Sequence, residues 1–210
     1  MTDLDGYGPD QFQADTNVSR ETLDKIVAIV DELDVWRGKI NLMGPSEFGQ
    51  VWRRHVLDSW QLFQHLSLPG KVVDLGSGSG FPALIIAAGF SDEESEITMI
   101  ESVGKKCAFL RAAVQRAKVN AQIIQGRVEA VNPVDAHCVT ARALAPLQKL
   151  LDYAEPWLGK GALGVFPKGR RWQEELTAAQ ESWRFAHEAI PSVTGDGAIL
   201  KVWEVTRVER

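Results

Sequence analysis

The stretch Val72-Val73-Asp74-Leu75-Gly76-Ser77-Gly78-Ser79-Gly80-Phe81-Pro82 sets the architecture of this chain. A short apolar run ends in an acid and passes into three glycines alternating with serines. Residues 71–75 read as a buried strand and residues 81–88 as the helix that follows. Pro82 suits a first helical turn, where its missing N–H has no intrahelical partner to lose. The glycines allow a sharp turn and a close approach of backbone to a ligand. In an open α/β sheet such a loop lies at the carboxyl ends of the strands, the crevice where ligands bind.

Beyond this unit, short apolar runs alternate with helical patterns. Strands are expected at 97–100, 122–125, 137–140 and 162–166, and helices at 103–117, 146–157 and 171–180. Two last strands, 185–189 and 199–206, have no helix between them. The pattern predicts a seven-stranded, mostly parallel sheet with helices on both faces and an antiparallel hairpin at one edge. On the amino-terminal side, Ser19 is a candidate cap for a helix over 19–36, with Leu23, Ile26, Val30 and Leu33 on one stripe. A second helix is expected over 47–66. Residues 1–17, with Gly6, Gly8, Pro9 and scattered Asp, are expected to be disordered. The predicted organisation is a tail (1–17), a helical extension packed on the core (18–68) and an α/β domain (69–210).

The chain has 210 residues, enough for one well-buried domain. No apolar run approaches the roughly 20 residues that span a bilayer, and Met1–Asp15 is acidic rather than signal-like. Cys107 and Cys138 are the only cysteines, which excludes a disulfide framework and suggests a reducing cytoplasm. His55, His65, His137 and His187 are dispersed without metal-ligand spacing, so no metal site is expected. Nothing demands a second copy, and a monomer is expected. The net charge of −5 weighs mildly against nucleic acid as a partner. It is only a sum, however, and a local basic face can coexist with it. Much of the acid lies at Asp3, Asp5, Asp10 and Asp15 and in a loop near Asp92–Ser95.

The glycine loop departs from the dinucleotide fingerprint, because its third glycine falls one position early. Asp74 before it would repel a diphosphate and suit a ligand carrying positive charge. Asp-x-Gly-x-Gly-x-Gly resembles the first motif of S-adenosylmethionine methyltransferases, and so implies their Rossmann-like fold. Glu101 ends the next strand, about 20 residues on, where a carboxylate can accept both ribose hydroxyls of an adenosine group.

The resemblance then extends along the chain. Asn41-Leu42 and Arg54-His55-Val56-Leu57-Asp58-Ser59, the glycine loop, and Ser102-Val103-Gly104-Lys105-Lys106 are similar to segments of one family. So are Gly126-Arg127-Val128-Glu129, Thr140-Ala141-Arg142-Ala143 and Lys168-Gly169. The family is the bacterial 16S ribosomal RNA guanine-N7 methyltransferases, also called glucose-inhibited division protein B. The resemblance implies cofactor contacts at Gly76, Phe81, Val128, Glu129 and Arg142, beside the motif residues Asp74, Gly78 and Glu101. It implies 16S ribosomal RNA, or the small ribosomal subunit, as partner. Pro82 is followed by Ala83 where the family commonly has glycine. The tail reads Gly195-Asp196-Gly197-Ala198 where the family often has a basic residue.

Guanine N7 carries a lone pair and no proton, so methyl transfer to it needs no general base. This fits a sequence with no evident catalytic triad. Arg142 and Lys168 are the candidates for positioning the base. Arg53, Arg54, His55, Lys168, Arg170 and Arg171 are the candidates for gripping RNA, and Asp58 is expected to hold Arg54 across one helical turn. A methyltransferase acting on a small molecule or protein remains an alternative, as does a non-catalytic binder of the same cofactor.

Overall fold

A computed structural model describes residues 2–90 and 94–208. The expected acidic loop at 92–95 therefore lies partly outside the described residues. The sheet has seven strands: β1 (Lys71–Leu75), β2 (Glu96–Glu101), β3 (Ala121–Gln125), β4 (Cys138–Thr140), β5 (Leu163–Lys168), β6 (Trp183–Pro191) and β7 (Ala198–Arg207). Their order is β3-β2-β1-β4-β5-β7-β6. β1 through β5 pair in parallel, while β7 runs antiparallel to both β5 and β6. This is the predicted sheet with its antiparallel edge hairpin.

Eight α-helices are described: α1 (Pro9–Thr16), α2 (Arg20–Arg37), α3 (Pro45–Phe48), α4 (Asp58–Trp60), α5 (Ala83–Gly89), α6 (Gly104–Ala117), α7 (Leu147–Leu158) and α8 (Trp172–Gln180). The sheet divides two apolar cores, as the period-two alternation of a strand requires. Val72, Ile97 and Met99 join residues of α2, α5 and α6 on one face. Val73, Leu75 and Ile100 join residues of α7 and α8 on the other. Both faces of the central strands are thus covered, which is why they read as continuous apolar runs. α2 starts where Ser19 accepts from the backbone N–H of Thr22 at 3.0 Å. It lies against α5 and α6.

Two expectations fail on the amino-terminal side. The stretch 47–66 is not one helix. α3 stops at Gly49, a π-helical segment follows at Trp52–Leu57 and leads into α4, and a 3-10 turn closes at Phe63–His65. The tail is folded rather than disordered. Asp3 is buried, and its carboxylate accepts from the backbone N–H of Trp52 at 3.0 Å and of Arg53 at 2.8 Å. These are free donors at the start of the π-helical segment, so Asp3 supplies a cap from a distant part of the chain. Phe12 on α1 is fully buried, with its ring 5.9 Å from Trp52 and 6.0 Å from Trp60. The tail's polar composition hid these two anchors.

Among the described residues, no helix is long and apolar enough to cross a membrane. The anchoring of the tail generates a test. Phe12→Ala should cost roughly 3–5 kcal/mol, the usual penalty for emptying an aromatic site in a packed core. Urea unfolding measures it. A midpoint shift near zero would mean that the tail contributes nothing to the fold.

Candidate functional site

The site forms where β1, β2 and β4 end. Gly76 and Ser77 donate to the carbonyl of Ile100 at 2.9 and 3.1 Å, which holds the glycine loop over the end of β2. Gly76 has φ +67° and Gly78 φ +55°, the left-handed region that favours glycine. A methyl group at Gly76 would come 2.5 Å from Leu144 Cδ1, so backbone and leucine occupy one slot. At Gly78 such a methyl would meet nothing closer than 3.7 Å, so this edge of the loop is open.

Glu101 ties the loop to α6. Its Oε2 accepts from the Gly78 N–H at 2.9 Å and its Oε1 from the Val103 N–H at 2.7 Å. Asp74 lies one layer deeper and is 1% exposed. Its Oδ1 accepts from the Thr140 hydroxyl at 2.7 Å, whereas Oδ2 has no hydrogen-bond partner. Burial pushes the Asp74 carboxyl up to about 6, against the lowering effect of Ser77 and Thr140, and the nearby Glu101 charge adds to the rise.

Two cavities open here. The smaller, of about 350 Å³, is lined by Gly76, Gly78, Glu101, Val103, Val128 and Glu129, among others. The larger, of about 660 Å³, is lined by Arg54, Asp58, Arg142, Lys168, Arg170 and Thr194, among others. Ala143 and Leu144 border both. Ala143 has φ +53°, a conformation a β-carbon disfavours. The turn after β4 is therefore a strained wall between the two spaces.

Of the residues expected to hold a cofactor, Gly76, Gly78, Glu101, Val128 and Glu129 meet in the smaller cavity. Asp74 lies beneath it. Phe81 does not reach it; its ring is buried 5.3 Å from that of His55. Arg142 lines the larger cavity instead. Val103, Lys106, Arg127 and Tyr153 of the smaller cavity were not among the expected site residues; they come from separate segments, and only the fold brings them together.

The basic residues are less free than their number suggests. His55 is buried, with Nε2 3.3 Å from Glu47 Oε1. Burial, reinforced by the Arg142 and Arg54 charges, pushes its pKa down to about 3, so it is neutral at pH 7 and no grip for phosphate. Lys168 is nearly enclosed: its Nζ sits 2.6 Å from Glu175 and donates to the carbonyl of Ala145 at 3.0 Å. Arg53 pairs with Asp5 at 3.0 Å and covers the Tyr7 ring. Arg170 pairs with Asp196 at 3.0 Å. Arg171, at the start of α8, is exposed, and so is Arg54. Asp58 does not hold Arg54; it faces Arg142, whose Nε is 3.5 Å from Asp58 Oδ2.

Gly76 provides a test of this packing. Gly76→Ala should destabilise by about 1–3 kcal/mol, through left-handed strain and overpacking against Leu144. Leu144→Ala in the same chain should recover part of that loss, as read by thermal unfolding. An unchanged melting point in Gly76→Ala contradicts the contact.

Several solved structures share this fold. The O-methyltransferase from Bacillus cereus in complex with SAH superposes with a TM-score of 0.59 at 12% identity, covering 93% of this chain and 96% of that one. An SAH-bound methyltransferase from Podospora anserina gives 0.58 at 15% identity, covering 89% and 97%. At such identities the likeness is one of fold. Sequence relatives are much nearer. The ribosomal RNA small subunit methyltransferase G of Hyphomonas neptunium is 62% identical over 197 residues, 93% of this chain and 94% of its own. The protein of the same name from Gluconobacter oxydans is 43% identical, over 92% and 99%. The model of the GidB family, rRNA small subunit methyltransferase G, matches residues 22–198. With matches of that extent along both chains, this protein belongs to the rRNA small subunit methyltransferase G family.

Proposed function

We propose that the chain methylates N7 of a guanine in 16S ribosomal RNA, with S-adenosylmethionine as donor, in the cytoplasm. The observation that carries this reading is the pair of adjoining cavities, which share the Ala143–Leu144 turn: the smaller holds Glu101 at the glycine loop, and the larger holds Arg54, Arg142 and Arg170.

The smaller cavity suits the donor by its chemistry. Glu101 keeps acceptor capacity for ribose hydroxyls after binding the Gly78 and Val103 N–H groups. Val103 and Val128 supply apolar walls for a purine. The unpartnered Oδ2 of Asp74 provides negative potential under the loop, which favours a cation and disfavours a diphosphate. The donor supplies a methyl group on a positively charged sulfur.

The larger cavity is the acceptor side. The N7 lone pair forms the new N–C bond as the C–S bond breaks. The positive charge passes to the purine and no proton moves, so the chain's task is alignment. Positioning of this kind can account for roughly 7–11 kcal/mol of barrier. His55, neutral and enclosed, is no proton carrier here. Arg142 lines the larger cavity next to the shared Ala143–Leu144 turn, where its guanidinium can meet the O6 of guanine. A base within folded RNA must first leave its stack to arrive there. Of the six basic candidates, Arg54 and Arg171 are exposed and form no ion pair among the described residues, which leaves them for the phosphate backbone.

Labelled methyl transfer tests the function directly. Small-subunit RNA should accept the methyl group, while bulk protein and small metabolites should not; transfer to either of the latter instead would reject the proposal. Arg142→Gln should lower kcat/KM for RNA about 10-fold, the lower weight of a hydrogen bond to a charged group.

Asp74 gives a pH signature. A cation bound above it favours the carboxylate, so donor affinity should rise as pH climbs through about 6 and level off above. Asp74→Asn should flatten that rise in calorimetric titrations. In the free protein the sign is opposite. The raised pKa contributes stability below the ordinary carboxylate value, and that contribution is lost as pH rises through about 6.

A further inference from the structure

Three segments that are distant in sequence meet at Asp58. Its Oδ1 accepts from the Thr194 hydroxyl at 2.6 Å and from Gln61 Nε2 at 2.9 Å. Gln61 reaches on to the tip of the β6–β7 hairpin, donating to Ser192 Oγ at 3.1 Å and accepting from the Val193 N–H at 3.0 Å. Asp58 Oδ2 faces Arg142 Nε at 3.5 Å, with both side chains mostly enclosed. The amino-terminal helices, the turn after β4 and the hairpin tip are therefore joined through one carboxylate, at the wall of the larger cavity.

Arg142 is gripped on two edges. Asp58 takes Nε, and the backbone carbonyl of Arg54 accepts from Nη2 at 2.9 Å. Nη1 is buried and has no hydrogen-bond partner among the described residues. A buried donor left unpaired is costly. It is tolerable where an incoming acceptor meets it and where the rest of the group cannot turn away.

We infer that Asp58 is a positioning residue of the acceptor cavity, holding Arg142 so that Nη1 meets the O6 of the purine and leaves N7 free for the methyl group. This rests on the guanine reading above and deepens it. The same arrangement selects guanine over adenine, because adenine offers an N6 amino donor where guanine offers the O6 acceptor. Two donors already hold Asp58 Oδ1, so Asp58→Asn can keep its oxygen there. Its amide N–H₂ then faces the Arg142 N–H, donor against donor.

The test pairs protein variants with a changed substrate. A small-subunit RNA fragment carrying the mapped target guanine is compared with one in which 2-aminopurine, lacking O6 but keeping N7, replaces it. In the unaltered protein the replacement should lower kcat/KM about 10-fold. Asp58→Asn should lose about as much on the guanine substrate, with donor affinity unchanged, and should lose little more on 2-aminopurine. Arg142→Gln should behave likewise, and the double variant should be no worse than either single one. Should Asp58→Asn fail to fold, Thr194→Val removes a donor to Oδ1 and keeps the charge. Its partial loss should likewise vanish on 2-aminopurine. Full activity in Asp58→Asn, or a 2-aminopurine penalty in it as large as in the unaltered protein, overturns the role of Asp58. Full activity in Arg142→Gln would instead overturn the reading of Arg142, and no transfer to RNA by the unaltered protein would overturn the guanine proposal itself.

Discussion

The Glu101 carboxylate is the joint on which the site depends. By accepting from the N–H groups of both Gly78 and Val103, it fixes the loop after β1 against the start of α6. Neither segment can move without breaking a hydrogen bond to a buried charge, among the stronger contacts a backbone makes. The glycines bend the loop, but Glu101 decides where it rests. Asp74, beneath it, joins β1 to β4 through Thr140. The two acids thus link the three central strands at the end of the sheet where the cavities open.

Charge is distributed on a simple plan around these acids. Asp74 and Glu101 lie buried at the smaller cavity, where burial magnifies their field, while Lys106 and Arg127 also line that cavity. Three of the cations lining the larger cavity pair with an acid: Arg142 with Asp58, Lys168 with Glu175 and, at the surface, Arg170 with Asp196. A net charge of −5 is therefore no paradox for a protein of this family. The paired cations line the larger cavity, and of the basic candidates Arg54 and Arg171 are exposed and form no ion pair among the described residues.

The α/β core was legible because its signals are local. Short apolar runs alternating with helical patterns mark β1 through β5, and a missing helix before 199–206 marks the antiparallel hairpin. The glycine loop and Glu101 were legible for the same reason, since spacing along one strand–loop–helix–strand unit fixes both. What sequence could not show depends on partners far apart in the chain. Asp3 caps a segment some fifty positions away, so the tail looked disordered. Asp58 sits one turn from Arg54 but faces Arg142, because the cavity wall brings the turn after β4 closer than the helix's own neighbour. His55 and Lys168 are candidates for gripping RNA by sequence, and only the folded chain reveals that one is neutral and the other paired with Glu175. Phe81 follows the glycine loop directly, yet its ring turns into the core toward His55.

The central claim is that the paired cavities deliver a methyl group to one guanine N7 of the small-subunit RNA. Mass spectrometry of ribosomal RNA from cells with and without the gene tests this most directly. The account predicts the loss of a single 7-methylguanosine from 16S RNA, restored when the intact chain is returned. Identical modification patterns in the two RNAs would contradict it.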